Sequence, residues 1–264
     1  MLGKLIKHDI KEMANWYLPL YLLYAGIAVA FIIMLQIVIR NPALTENEDA
    51  LFGNVFGALT IAFILAVVAL LLLNILITVY YFYRKFVSEE AYLTMALPVE
   101  PWEHILSKML SSAVWQLITW ILFILSMGLL LLTSGAAEEL ALGVDEQLTL
   151  KTVWIQVSHE IGLNIGSIFL GIVYGILSFI TSPLKYYASI SLGQLFQKRK
   201  VLMAVVAYVA ISIATATVTS SSMLGLFTDS LVGILAISIV EVLIASVVYF
   251  AISVYFLGKR LNLE

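Results

Sequence analysis

The sequence predicts an all-α, polytopic membrane protein with six transmembrane helices. Hydrophobic residues make up 62% of the 264 residues and charged residues only 12%, with a mean hydropathy of +1.04, whereas about a quarter of an ordinary soluble domain is charged. Crossing a hydrocarbon core takes about 20 apolar residues, and six runs are long enough. They lie at about 16–39, 55–83, 111–133, 161–180, 201–219 and 231–257, and the fourth is expected to continue past Pro183.

The first 15 residues are predicted to form a separate amphipathic helix before the first span. Apolar side chains recur there at helical spacing, and the basic side chains fall largely off their stripe. This pattern favours a helix that lies in the membrane interface, although a plain cytosolic flank of the first span is the simpler alternative. The segment lacks the small-residue cleavage site of a signal peptide and is expected to stay attached. The stripe consists of Leu2, Leu5, Ile6, Ile10 and Met13.

The basic residues predict the orientation of the spans. Six spans place both termini on one side, and all of the 14 Lys and Arg residues except Arg40 and Lys151 fall on that side. Cytoplasmic loops carry the excess of Lys and Arg in membrane proteins. We therefore expect a multi-pass protein of the cell membrane, with both termini in the cytoplasm, a single transmembrane domain over 1–264 and a longest external loop at 134–160.

The segment 84–110, between the second and third spans, is predicted to contain a short cytoplasmic helix. Glu89 and Glu90 would lie in its first turn, where the positive end of the helix dipole favours carboxylates. Pro98 disfavours helical geometry at the residue before it and so ends the helix after two to three turns. A second helix can begin at Pro101, because proline suits the first turn. A short helix held between two spans offers a soluble partner a surface to bind.

No catalytic residue and no metal site are predicted. The chain has no Cys, which excludes thiolate chemistry, and it has no glycine-rich phosphate loop. His159 and Glu160 begin like a zinc-protease motif, but Leu163 stands where the second His is required. The basic clusters flank spans without interleaved aromatic residues, so nucleic-acid binding is not predicted.

Four polar residues are expected within or near the spans: Asn74, Gln116, Asn164 and Glu241. The amides can hydrogen-bond between helices, typically for less than about 1 kcal/mol each. Glu241 lies near the middle of the sixth span, where a carboxylate costs about 2.5–3.5 kcal/mol. It is either a neutral, hydrogen-bonded structural acid or a residue that faces a transport path. Asn74 and Glu241 are the candidate transport-path residues.

Pairs of glycines four residues apart open or continue two of the spans. Such pairs allow close helix approach. They are expected to pack either within this bundle or against a second copy of the chain, and the spacing alone does not decide between the two. The pairs are Gly53 with Gly57, Gly162 with Gly166, and Gly171 with Gly175.

The block from Glu89 to Lys108, together with the six spans and the basic amino-terminal helix, resembles the permease subunits of type-2 ATP-binding-cassette (ABC) exporters. The likeness is greatest to small bacterial transporters that export antimicrobial or amphipathic peptides, such as lantibiotics or phenol-soluble modulins. The sequence departs from that family between Thr219 and Ser230, which leaves little room for the re-entrant helical pair often found before the last span. The residues that carry the likeness are Glu90, Tyr92, Leu93, Leu97, Pro98, Ser107 and Lys108.

The resemblance implies a half-transporter in which two permeases, identical or closely related, lie side by side in the lipid. Each would be bound through its coupling helix by a separate ATP-binding subunit, which would hold the ATP and Mg²⁺. This chain would hold no cofactor and would move an amphipathic peptide outward. An ion-coupled secondary transporter and a non-transporting immunity or scaffold protein are the alternatives. The predicted partner-binding residues are Glu89, Glu90, Tyr92, Leu93, Met95, Leu97 and Pro98.

Overall fold

The computed structural model describes residues 2–40, 50–87, 100–133, 165–196, 199–223 and 230–259. Throughout these residues the regular structure is helical, and no strand occurs in them. Six helices within this part of the chain are long and apolar enough to cross a membrane, which confirms the all-α class and the six candidate spans. They are α1 (Leu2–Arg40), α2 (Ala50–Phe86), α3 (Pro101–Thr133), α4 (Ile165–Gly193), α5 (Lys200–Met223) and α6 (Leu231–Lys259).

Helix α1 joins two segments that the sequence separates. The predicted amino-terminal helix and the predicted first span form one helix of 39 residues without a break. At 1.5 Å per residue this helix is about 58 Å long, almost twice the ~30 Å thickness of a hydrocarbon core. Its ends therefore extend beyond a membrane that it crosses. An interfacial position for the first turns stays a prediction.

Helix α3 begins at Pro101, as its sequence predicts. The backbone N–H of Glu103 donates to the carbonyl oxygen of Glu100 over 3.0 Å, and the carboxylate of Glu103 lies in the first turn, where the helix dipole favours it. The predicted coupling helix, with all seven partner-binding residues, lies outside the described residues. Its helical conformation therefore stays a prediction.

Helix α4 passes through Pro183 and ends at Gly193, which confirms the predicted continuation beyond the proline. Helices α5 and α6 both pack against α4. The approach of α5 is close, because a Cβ atom added to Gly193 would lie 2.6 Å from the Cβ atom of Ala204. Gly193 thus permits the packing of α5 on the end of α4.

The helices contribute to two compact units, each with its own core. Unit 1 comprises Met1–Lys11, Ile77–Val114 and Gln156–Glu264, and unit 2 comprises Glu12–Leu76 and Trp115–Ile155. In unit 2, Phe31 stacks on Phe63 with ring centroids 4.8 Å apart. The core of unit 1 is aromatic at its centre and includes Phe82, Phe86, Ile105, Met109, Leu184, Tyr187, Ala188, Ile190 and Tyr249.

Four of the paired glycines, Gly53, Gly57, Gly171 and Gly175, make no close contact with other described helices. No atom beyond the local helix backbone comes within 4 Å of a Cβ atom added to Gly53, Gly57, Gly171 or Gly175. Close packing of these four glycines against other described residues is therefore not observed. Contact with a second chain stays a prediction, and Gly162 lies outside the described residues.

Candidate functional site

A buried ion pair joins the beginning of α1 to the beginning of α3 in unit 1. Asp9 is 4% exposed and Lys108 is 2% exposed, and Lys108 Nζ donates to Asp9 Oδ1 over 3.0 Å. The Tyr81 hydroxyl donates to the same oxygen over 2.9 Å. The Ser107 hydroxyl donates to Oδ2 over 2.5 Å. Both oxygens of the carboxylate are satisfied, and we call these four residues the Asp9 cluster.

Two aromatic rings border the ammonium group of the Asp9 cluster. Lys108 Nζ lies 5.0 Å from the ring centroid of Tyr81 and 5.7 Å from that of Phe86. Both distances allow a cation–π attraction. Phe86 is the last residue of α2 and is fully buried. The ammonium group therefore holds the end of α2 against the beginning of α3.

His104 lies one helical turn before Lys108 and is 1% exposed. Its ring meets the ring of Phe86 edge-on, with centroids 6.4 Å apart. Neither Nδ1 nor Nε2 of His104 has a hydrogen-bond partner in the structure. Buried polar atoms without partners are destabilising, so the packing of this ring rather than its polarity holds it in place.

Helix α4 joins the same region through Tyr187. The Tyr187 hydroxyl donates to the backbone carbonyl of Lys108 over 3.1 Å and lies 2.7 Å from the hydroxyl of Ser112. Its ring stacks on Phe82, with centroids 3.9 Å apart. Four helices, α1 to α4, thus meet around Lys108. The end of α2 and the beginning of α3, which flank residues 88–99, are fixed to each other.

The Asp9 cluster holds helices in position and leaves the Asp9 carboxylate no free oxygen to bind a metal ion. The ligand atoms of His8, Asp9 and Glu12 lie within 4.8 Å of one another, a spacing that a metal ion could bridge. However, both oxygens of Asp9 already accept hydrogen bonds from Tyr81, Ser107 and Lys108. A metal ion would have to displace the Lys108 ammonium group from Asp9. We therefore assign no metal to His8, Asp9 and Glu12.

Asn74, a candidate transport-path residue, is 6% exposed in unit 2. Its side-chain amide donates to the Thr119 hydroxyl over 2.5 Å, and its backbone carbonyl accepts from the Tyr17 hydroxyl over 3.2 Å. The Tyr21 hydroxyl lies 2.8 Å from the same Thr119 oxygen. The structure thus places Asn74 in a hydrogen-bond network between α1, α2 and α3, and its part in transport stays a prediction.

Glu241, the other candidate, has no such network. Its Oε2 atom is buried without a hydrogen-bond partner, and so is the hydroxyl of Ser238, one turn earlier on α6. Ser238 is 2% exposed. The two alternatives that the sequence leaves open for Glu241, a structural acid and a transport-path residue, both stay predictions.

The position of Asp9 among the apolar residues of α1 is a sequence signal for the Asp9 cluster, and counts of composition and charge do not detect it. Asp9 lies four residues after Leu5, three after Ile6 and four before Met13, and residues three or four apart share one face of a helix. Its carboxylate therefore falls on the apolar stripe of α1. A charge on a buried face requires a partner, which predicts a cation on another helix but does not identify Lys108.

Comparison of the chain with protein-family models, with curated proteins and with solved structures gives no match. The structure itself therefore defines the class. It is a helical protein whose described residues include six candidate membrane spans, consistent with a multi-pass membrane protein.

Proposed function

We propose that this chain is the permease subunit of an ABC exporter that moves amphipathic or antimicrobial peptides, or other lipophilic compounds, out of a bacterial cell. A separate subunit would hydrolyse the ATP. The proposal rests on the resemblance of the block Glu89–Lys108 to such permeases. One structural observation supports it most. Ser107 and Lys108, the last two residues of this block, both donate hydrogen bonds to the buried carboxylate of Asp9.

A coupling helix can transmit motion only if its attachment to the spans is stiff. In this chain the segment 88–99 is flanked by the end of α2 and the beginning of α3, which Phe86, His104 and Lys108 hold together. The Asp9 cluster extends this contact to α1. Because packed elements move as units rather than deform continuously, a displacement of the coupling segment would reach several helices at once.

The proposed assembly contains two permeases. Six spans rarely enclose a path for a bulky substrate. Among the described residues, none beyond the local helix backbone lies within 4 Å of a Cβ atom added to Gly53, Gly57, Gly171 or Gly175. Small residues allow close approach of helices from a second chain. The predicted external loops are acidic, which would favour outward passage of a cationic peptide.

The second candidate function is ion-coupled secondary transport. The observation that favours it is the buried, unpartnered carboxylate oxygen of Glu241, because ionisable groups at mid-membrane are typical of ion pathways. The two candidates differ in their source of energy, so ATP dependence separates them.

The test is co-expression of the chain with an ATP-binding cassette subunit, followed by purification, reconstitution and measurement of ATPase activity and peptide export. We expect Tyr92→Ala combined with Leu93→Ala to dissociate the complex or to abolish export while ATP hydrolysis continues, because apolar anchors hold a helix in a groove. Lys7→Ala, at an exposed position of α1, is the matched control. Wild-type assembly and export in the double variant would contradict the coupling-helix assignment, and export driven by an ion gradient without ATP would favour the second candidate.

A further inference from the structure

Two unpartnered polar atoms lie on one face of α6. Ser238 and Glu241 are three residues apart, and residues at this spacing are neighbours on a helix surface. The Ser238 hydroxyl and Glu241 Oε2 are both buried, and neither has a hydrogen-bond partner. About 90% or more of buried polar groups in proteins have a partner. Two unpartnered oxygens within one turn of α6 therefore leave a hydroxyl and a carboxylate that can each still accept a hydrogen bond.

In a membrane that α6 crosses, the Ser238 hydroxyl and the Glu241 carboxylate lie far from bulk water. Glu241 follows the first residue of α6, Leu231, by ten positions, and at 1.5 Å per residue this places it about 15 Å along the helix. That distance is about half of a ~30 Å hydrocarbon core. A carboxyl group at this depth lies far from bulk solvent and is stabilised by a proton, a hydrogen-bond donor or a compensating positive charge.

Helices α4 and α5 pack most closely against α6, and in the described part of the chain neither places a basic residue in an ion pair with Glu241. Helix α4 contains one basic residue, Lys185, and its Nζ lies over the ring of Tyr208, 5.1 Å from the centroid. The basic residue of α5, Lys200, is its first residue, and that of α6, Lys259, is its last. Lys259 lies 18 positions, or about 27 Å, beyond Glu241. The described basic residues of α4, α5 and α6 therefore leave Glu241 without a counter-charge.

We propose that Ser238 and Glu241 form a binding site for a primary ammonium group of the transported peptide, either a lysine side chain or the amino terminus. The site rests on the proposed function only for the identity of its ligand. An ammonium group has three donors and no acceptor, so it matches a carboxylate oxygen and a hydroxyl oxygen that both lack donors. The contact to the carboxylate is charge-assisted and therefore strong.

Two other occupants fit the pair less well. Mg²⁺ and Ca²⁺ take six or more oxygen ligands, which is more than these two side chains supply. A proton would neutralise Glu241 but would leave the Ser238 hydroxyl without a partner. The ammonium group uses both oxygens, and it would arrive on an amphipathic peptide whose own backbone hydrogen bonds are already satisfied.

The test uses carbodiimide modification of Glu241 in proteoliposomes that contain this chain alone. A lipid-soluble carbodiimide modifies carboxyl groups within a membrane, and mass spectrometry measures the adduct on Glu241. The protecting probes are a helical Leu/Lys peptide and the same peptide with every lysine acetylated. We expect the lysine peptide to protect Glu241 at a concentration about tenfold or more below that of the acetylated peptide, since one charge-assisted contact distinguishes them.

Ser238→Ala should reduce that preference several-fold, whereas a site for a proton alone would be unaffected by this substitution. Equal protection by both peptides, or an unchanged preference in Ser238→Ala, would overturn the proposal. The comparison of the two peptides uses the unsubstituted protein and so does not depend on a variant that folds. Because no ATP-binding subunit is present, failure of the exporter assignment would leave this result standing, and failure of this test would leave the exporter assignment open.

Discussion

Removal of the Asp9 carboxylate is the most informative perturbation of the described site. In Asp9→Ala, the Lys108 ammonium group stays buried at 2% exposure without its counter-charge, and the hydroxyls of Tyr81 and Ser107 lose their acceptor. Breaking one partner of a buried ion pair costs about 3–5 kcal/mol. The aromatic rings beside Lys108 compensate only in part, since a cation–π contact contributes about 2 kcal/mol when desolvated. We therefore expect Asp9→Ala to lower the free energy of unfolding by about 3 kcal/mol.

The same reasoning predicts a partial rescue. When Asp9→Leu is combined with Lys108→Met, no buried charge remains, and apolar replacement of a buried ion pair is often neutral. Reversible unfolding in mixed micelles, with the two single variants and the double variant compared in one cycle, measures the coupling. Lys7→Ala, exposed on the same helix, is the control and should stay within about 0.5 kcal/mol of the parent protein. A loss of less than about 1 kcal/mol in Asp9→Ala, or simple additivity in the cycle, would refute the assignment of a buried, compensated pair.

Four further substitutions can be measured in the same unfolding assay. His104→Phe should be neutral or stabilising by up to about 1 kcal/mol, because it removes two buried, unpartnered nitrogens; a large loss would show that these nitrogens have a partner. Gly193→Ala should lower the free energy of unfolding by about 1–3 kcal/mol, because the new methyl group overlaps Ala204. Gly175→Ala, where an added Cβ meets no other described atom within 4 Å, should leave it unchanged. Equal effects of the two substitutions would contradict the close approach of α5. Asn74→Ala should lower the free energy of unfolding by about 0.6 kcal/mol, the average for a hydrogen bond between membrane helices. The loss is small because Tyr17 donates to the backbone of Asn74 and keeps its bond. A loss above about 2 kcal/mol would contradict this expectation.

The sequence predicts the helices better than it predicts their contacts. Hydropathy identifies all six candidate spans because each needs only its own residues to be apolar. Pro101 at the beginning of α3 and the passage of α4 through Pro183 also follow from local chemistry. The glycine pairs show the limit, since their spacing permits close packing but does not reveal whether a partner is present.

The Asp9 cluster could be predicted only in part, for a physical reason. The position of Asp9 on the apolar stripe of α1 shows that a partner is needed. Lys108, however, lies 99 residues away along the chain, and Lys4, Lys7 and Lys11 are nearer in sequence. The identity of the partner depends on which helices pack together, and no local pattern contains that information.

Asp9 and Glu241 differ in one respect that bears on the proposed function. Asp9 receives donors from Tyr81, Ser107 and Lys108, so no ligand can improve its environment without displacing them. Glu241 has one buried oxygen without a donor, so a cationic ligand would gain an interaction there that costs the protein no existing bond. A ligand shifts a conformational equilibrium only through differential interaction with its states. Under the proposed function, Glu241 is therefore the acid that offers a cationic substrate a new interaction, whereas Asp9 already has its donors.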